Sequence, residues 1–181
     1  MNISLDIEIA PNDIFRVYRN SVQEDKELPL FIFHHGAGYT AHTFSEVIKE
    51  LCAKVSCSTL AFDARGHGYS HSDNEELELE GLSKDVVVLV EKLFPVLPKE
   101  IVLVGHSMGG SVMVNIAKHK MIKNVIGVVV LDVVEGTAIE ALPNMNKILR
   151  NRPFKFKSIE EAIKWAQRQE QVKNKNVNTL L

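Results

Sequence analysis

Cysteine is scarce: Cys52 and Cys57 are the only two in 181 residues, a count that builds no disulfide framework and fits a reducing cytosol or nucleus. Long apolar runs are also lacking. The longest, Val125–Leu131, has seven residues, far short of the ~20 that cross a bilayer. No excess of one charge is present either, since the formal net charge is −2, which gives no reason to expect nucleic-acid binding. Ten glycines and six prolines exclude collagen-like and low-complexity chains, and a 45% hydrophobic content excludes disorder over most of the length. Asp6 and Glu8 fall where a signal peptide would be apolar, so a soluble, cytoplasmic or nuclear protein is expected.

The charge that is present is unevenly spread. Residues 147–181 hold nine Lys/Arg against three Asp/Glu, whereas 1–146 hold twelve against twenty. Five of those acids crowd into 73–80, which reads as a solvated loop leading into a helix. The basic end is either a frayed terminus or a contact for an acidic partner.

Apolar periodicity alternates between two kinds of segment. Ile3, Leu5, Ile7 and Ile9, then Ile14, Val17 and Tyr18, read as two strands joined at Pro11-Asn12-Asp13 in a hairpin. Runs at 30–33, 59–62, 101–104 and 125–131 are continuously apolar, as in parallel strands buried on both faces. Between them Phe44, Val47, Ile48 and Leu51 follow a helical period, as do Leu82, Val86, Leu89, Val90 and Leu93, and 108–121 is compatible with a helix. The pattern predicts an α/β fold, a mostly parallel sheet with flanking helices, over a single domain 1–181. Beyond Leu131 the alternation stops. Segments 137–149 and 158–167 read as helices, the first kinked or begun by Pro143, the second opened by a Ser158-x-x-Glu161 capping box.

Chemistry concentrates at Gly105-His106-Ser107-Met108-Gly109. G-x-S-x-G directly after a strand and opening a helix is the setting of a nucleophile elbow, with Ser107 as nucleophile. The turn is sharp, so Gly105 and Gly109 are expected where a side chain would strike backbone. Acyl transfer needs two N–H donors aimed at the oxyanion, and Met108, next after the serine, supplies one. The second is expected from Ala37 in the His35-Gly36-Ala37-Gly38 loop that ends an earlier strand. Asp132, at the end of the run Val125–Leu131 and 25 residues after Ser107, is placed to be the acid. The turn Asp63-Ala64-Arg65-Gly66-His67-Gly68 is read as structural.

A base is missing from its place in this order. His34, His35, His42, His67, His71, His106 and His119 all precede Asp132. His106 adjoins the serine, and neighbouring side chains at a strand end diverge. His34 and His35 belong to the oxyanion loop, and His119 lies far along a helix. A rewired triad would have to run through His35, His67 or His71. No spacing points to a metal, and no cofactor is expected.

The elbow, the HHGAG loop and the DARGHG turn resemble the α/β-hydrolase superfamily. The stretch LDVVEGTA at 131–138, with LRNRP at 149–153 and FKS at 156–158, resembles the protein phosphatase methylesterase family, and the likeness runs from about Phe15 to the last residues. That resemblance implies removal of the methyl ester from the C-terminal leucine of the type 2A protein phosphatase catalytic subunit, with no nucleic acid or membrane as partner. It also implies Ser107 as nucleophile, Asp132 as acid, and 133–170 as a helical cap. The family's hydrolase domain is longer and carries its histidine near the C-terminal end, a part without counterpart here. The chain is therefore expected to be an incomplete hydrolase lacking C-terminal strands, inactive and poorly stable alone, with 125–131 left at the sheet edge. Two other readings stay open: a different serine esterase, and a silent protein that binds the phosphatase without turnover.

Overall fold

The computed structural model describes residues 3–20, 27–74, 76–133, 153 and 155–168. The chain divides into two units, Met1–Val133 and Val134–Leu181. The first holds β1 (Ile3–Ala10), β2 (Asp13–Arg19), β3 (Leu30–His34), a short 3-10 turn (Ala41–Phe44), α1 (Ser45–Lys54), β4 (Ser58–Phe62), α2 (Leu79–Leu93), β5 (Ile101–His106), α3 (Met108–Lys118) and β6 (Val125–Leu131). The second contains α4 (Ile159–Arg168). Among the described residues no helix is long and apolar enough to cross a membrane.

Among the described residues six strands form one sheet in the order β1-β2-β4-β3-β5-β6. The pairs β3–β4, β3–β5 and β5–β6 are parallel, and β1–β2 and β2–β4 antiparallel. The expected hairpin is present, turning at Asn12, whose φ of 63° suits a residue that tolerates the left-handed region. The continuous apolar runs have a simple cause. Leu30, Ile32, Leu60, Phe62 and Leu103 pack on one face against Val86, Leu89, Val112, Met113 and Ile116 of α2 and α3. Their alternates Phe33, Ala61 and Val104 pack on the other face with Phe44 and Ile48. Both faces are covered, so successive positions are mostly apolar.

Two expectations need correction. The helix after Ser107 stops at Lys118 rather than Met121, because Lys120 enters the left-handed region at φ 50° and ends the turn. Val125–Leu131 is a strand but is not buried on both faces. It is the outermost strand among the described residues, and Ile126 remains 62% exposed. Apolar content alone cannot tell an inner strand from an edge, since both take the same backbone. The helix expected over 137–149, Pro143 with it, lies outside the described residues. In the second unit the Glu161 N–H donates to Ser158 Oγ at 3.2 Å, as a capping box requires. The Glu161 carboxylate reaches back to the N–H of Lys157, one residue earlier than the expected Ser158.

Arg65 and Asp85 form a buried two-pronged ion pair, with Nε and NH2 donating at 2.6 and 2.5 Å, and so join the turn after β4 to α2. Burial lifts the Asp85 carboxyl above its ordinary value, against the pull of the guanidinium. Asp85→Ala would strand the Arg65 charge and is expected to cost about 3–5 kcal/mol. Arg65→Met combined with Asp85→Leu should recover most of that loss in urea denaturation.

Candidate active site

Ser107 is the single residue between β5 and α3, at φ 50° and ψ −118°. A non-glycine residue there is strained by roughly 1–3 kcal/mol and has to be held in place. Three backbone hydrogen bonds hold it. The Ser107 N–H donates to the Leu131 carbonyl at 2.9 Å, and its own carbonyl accepts from Gly110 and Ser111 at 2.9 and 3.3 Å. A Cβ on Gly105 would overlap the Gly109 carbonyl, and one on Gly109 would overlap the carbonyl of His34. Both glycines are thus required by close approach of backbone, as the motif implied.

The loop after β3 lies directly against this elbow. A Cβ on Gly36 would sit 3.1 Å from Ser107 Cβ and 2.8 Å from His106 Nδ1. Ala37, next in the loop, is exposed, and Met108 is the first residue of α3. The N–H groups of a helix's first turn have no partner inside the helix and face where negative charge would develop. The structure therefore brings the loop carrying Ala37 and the elbow carrying Met108 to one place.

The turn Asp63–Gly68 fixes the loop, which gives these residues the structural role expected of them. His35 Nε2 accepts from the Ala64 N–H at 2.9 Å while Nδ1 donates to the Gly36 carbonyl at 2.8 Å. His67 Nε2 accepts from the Gly38 N–H at 2.9 Å while Nδ1 donates to the Arg65 carbonyl. Asp63, fully buried, accepts from the N–H groups of Ala41 and Tyr69 at 2.8 and 3.0 Å. Each ring thus accepts through one nitrogen and donates through the other, which only neutral imidazole can do. Burial depresses His34 to about 3 and His35 to about 4, with each ring also disfavouring charge on its neighbours.

Asp132 follows β6 at φ 52°. His106 pairs with Leu131 in the parallel register, so the chain order continues Ser107 beside Asp132. The Asp132 side chain is 79% exposed, and its Oδ2 lies 3.9 Å from His106 Nε2. The His106 ring thus comes close to Asp132, an approach that sequence reasoning missed. Its Nδ1 is buried without a hydrogen-bond partner among the described residues, and its ring meets Tyr39 edge-on. The other histidines are placed elsewhere: His42 against Tyr18 and Ser45, His71 bridged to Ile14, and His119 at the end of α3.

Comparison with known proteins bears on the arrangement at this point. Residues 31–173 match the model of the alpha/beta hydrolase family. The chain belongs to that family. Its sheet order, elbow and flanking helices are those of an α/β hydrolase with 98% of its length superposable on E-2-(acetamidomethylene)succinate hydrolase, at TM-score 0.76 and 24% identity, a likeness of fold alone. In sequence this α/β hydrolase is 38% identical over 173 residues to protein phosphatase methylesterase 1 of Bos taurus, covering 93% of the chain and 44% of that protein. It is 40% identical over 155 residues to a probable protein phosphatase methylesterase 1 of Caenorhabditis elegans, covering 84% of the chain and 42% of the relative. The chain thus spans less than half the length of these two relatives. The stretches 134–152 and 169–181, which carry much of the cap and basic segment read from sequence, lie outside the described residues.

Proposed function

We propose that this chain supplies the nucleophile, the acid and the oxyanion donors of a serine carboxylesterase that demethylates the C-terminal leucine of the type 2A protein phosphatase catalytic subunit. The observation that carries the chemistry is Ser107, held at a strained strand-to-helix junction with the Gly36-Ala37 loop packed against it. The names of the curated relatives support the substrate.

In this reading Ser107 Oγ attacks the methyl ester carbonyl and passes its proton to a histidine. The carbonyl oxygen, now negative, is held by the N–H groups of Ala37 and Met108. Collapse expels methanol, which takes the proton from the histidine and leaves an acyl-enzyme. Water repeats the cycle and releases the free carboxylate. Asp132 orients the histidine and stabilises its charged form. In this reading the base is a further histidine, since His35 and His67 spend both ring nitrogens on backbone and the His71 ring lies against Asp73. The exposed Asp132 carboxylate is open to receive such a partner. We place the protein in the cytoplasm or nucleus, a reading that its two free cysteines support.

The test joins this chain to the histidine-bearing remainder of its relatives and offers it a leucine methyl ester phosphatase tail beside a panel of simple esters. Methanol release from the tail at a kcat/KM well above the panel supports the reading. Preference for the simple esters identifies a different serine esterase, and binding without turnover identifies a silent phosphatase partner. In the same protein Asp132→Asn is expected to lower kcat by up to ~10⁴ with an unchanged melting temperature. Full activity in that variant would move the acid elsewhere.

A further inference from the structure

The end of the sheet opposite the elbow carries a second reactive group. Cys52 lies near the end of α1 (Ser45–Lys54), and Cys57 directly precedes β4 (Ser58–Phe62). Residues Lys54 to Ser56 turn the chain between them, and the two sulfurs meet at 3.9 Å, both as free thiols.

The surroundings make the two sulfurs unequal. Asn20, one residue past β2, binds the whole corner through its side-chain amide. Its Nδ2 donates to the Cys57 carbonyl at 2.8 Å and to Cys52 Sγ at 3.4 Å, and its Oδ1 accepts from the Thr59 N–H at 2.8 Å. Cys52 Sγ accepts from the Asn20 amide, and its side chain is partly open to solvent. Cys57 is only 6% exposed, and burial with the neighbouring sulfur pushes its thiol up to about 11. One sulfur is thus open to attack from solvent, and the other waits in contact behind it. That is the arrangement of an attacking and a resolving cysteine.

We propose that Cys52 and Cys57 are a reversible redox site that a hydroperoxide converts to an intramolecular disulfide. In the first step the Cys52 thiolate attacks the hydroperoxide. An S–O bond forms, the O–O bond breaks, and the leaving alkoxide takes a proton from water to become an alcohol. Cys52 is left as the sulfenic acid. In the second step Cys57 sulfur attacks Cys52 sulfur, the S–S bond forms, and the S–O bond breaks. The departing hydroxide takes the Cys57 proton and leaves as water. Two thiols and one hydroperoxide thus give one disulfide, one alcohol and one water, with two electrons passing from sulfur to oxygen. The bridge ties the last turn of α1 to the start of β4. Asp63 and the catalytic loops stand at the other end of that strand, so the modification is independent of the esterase reading.

The sequence provides a direct assay. Trypsin cuts after Lys49, Lys54 and Arg65, which separates Cys52 in peptide 50–54 from Cys57 in peptide 55–65. The full chain is treated with one equivalent of tert-butyl hydroperoxide, blocked with iodoacetamide under denaturing conditions, and digested without reductant. The expected product is the two peptides joined, with two hydrogens lost and full separation on adding dithiothreitol. In Cys57→Ser, dimedone should trap a sulfenic acid at Cys52 about tenfold more than in the parent, because the resolving thiol is gone. Joined peptides found only in covalent dimers would overturn the proposal. So would sulfinic acid at Cys52 with Cys57 still alkylated, or faster oxidation of Cys57 in Cys52→Ser than of Cys52 in Cys57→Ser.

Discussion

Ser107→Ala, in a protein that joins this chain to a downstream histidine, should lose esterase activity by ~10⁴–10⁶-fold and keep its melting temperature. Alanine has the same Cβ as serine, so the strain at φ 50° and the three backbone hydrogen bonds are unchanged. Only the nucleophilic oxygen goes. A fluorophosphonate probe should label the parent at Ser107 and leave the variant unlabelled. Labelling of another serine, or hydrolysis at the parent rate in Ser107→Ala, would end the elbow assignment. The stability measurement keeps a folding defect from passing as a catalytic one.

The second large effect is loss of stability in acid. His34 and His35 are held neutral, at about 3 and about 4, against an ordinary value of 6.5. Below about pH 6.5 the unfolded chain takes up protons that the folded chain refuses, so stability falls as the pH is lowered toward the depressed values. Each ring removes about 1.4 kcal/mol per pH unit through that window, or about 3 kcal/mol by pH 4. Together, about 6 kcal/mol, this reaches the lower end of the ~5–15 kcal/mol stability of a domain. The urea midpoint, followed from pH 7.5 to pH 4, should fall steeply and return on neutralisation. A flat midpoint between pH 7 and pH 5 would show that neither ring is sealed from protons.

How much of this was legible in the sequence depended on which force set each feature. The strands at 30–34, 58–62 and 101–106 were readable because burial on both faces keeps most of their positions apolar, the buried His34, Ser58 and Thr59 lying at or near the strand ends. The elbow was readable because Gly105 and Gly109 are demanded by backbone contact that no other residue permits. The exposure of Val125–Leu131 was not read from its apolar run, although its place at the sheet edge was expected from the resemblance. Nor were the contacts of His35, His67 and Asp63. Their types said "loop", but the pinning of Gly38, Ala41 and Ala64 joins residues far apart in the chain. The approach of His106 to Asp132 and the meeting of Cys52 with Cys57 around Asn20 belong to this class too. No local pattern records them.

The strand order has a consequence for how the site is made. Among the described residues only the β1–β2 hairpin pairs residues close in sequence, and it can close within about 1–10 μs. All later pairings reach across helices, and β3 joins β5 through Leu30 to Ile101, the most distant parallel partners in the sheet. Closing so long a loop must be repaid by contacts that exist only once the loop is closed, which makes this step slow. The same step sets the carbonyl of His34 against Gly109 and lays Gly36 on Ser107. The elbow and its facing loop are therefore brought together by a long-range pairing. A ribosome must release the chain through β6 before a growing molecule can form all three backbone hydrogen bonds that hold Ser107.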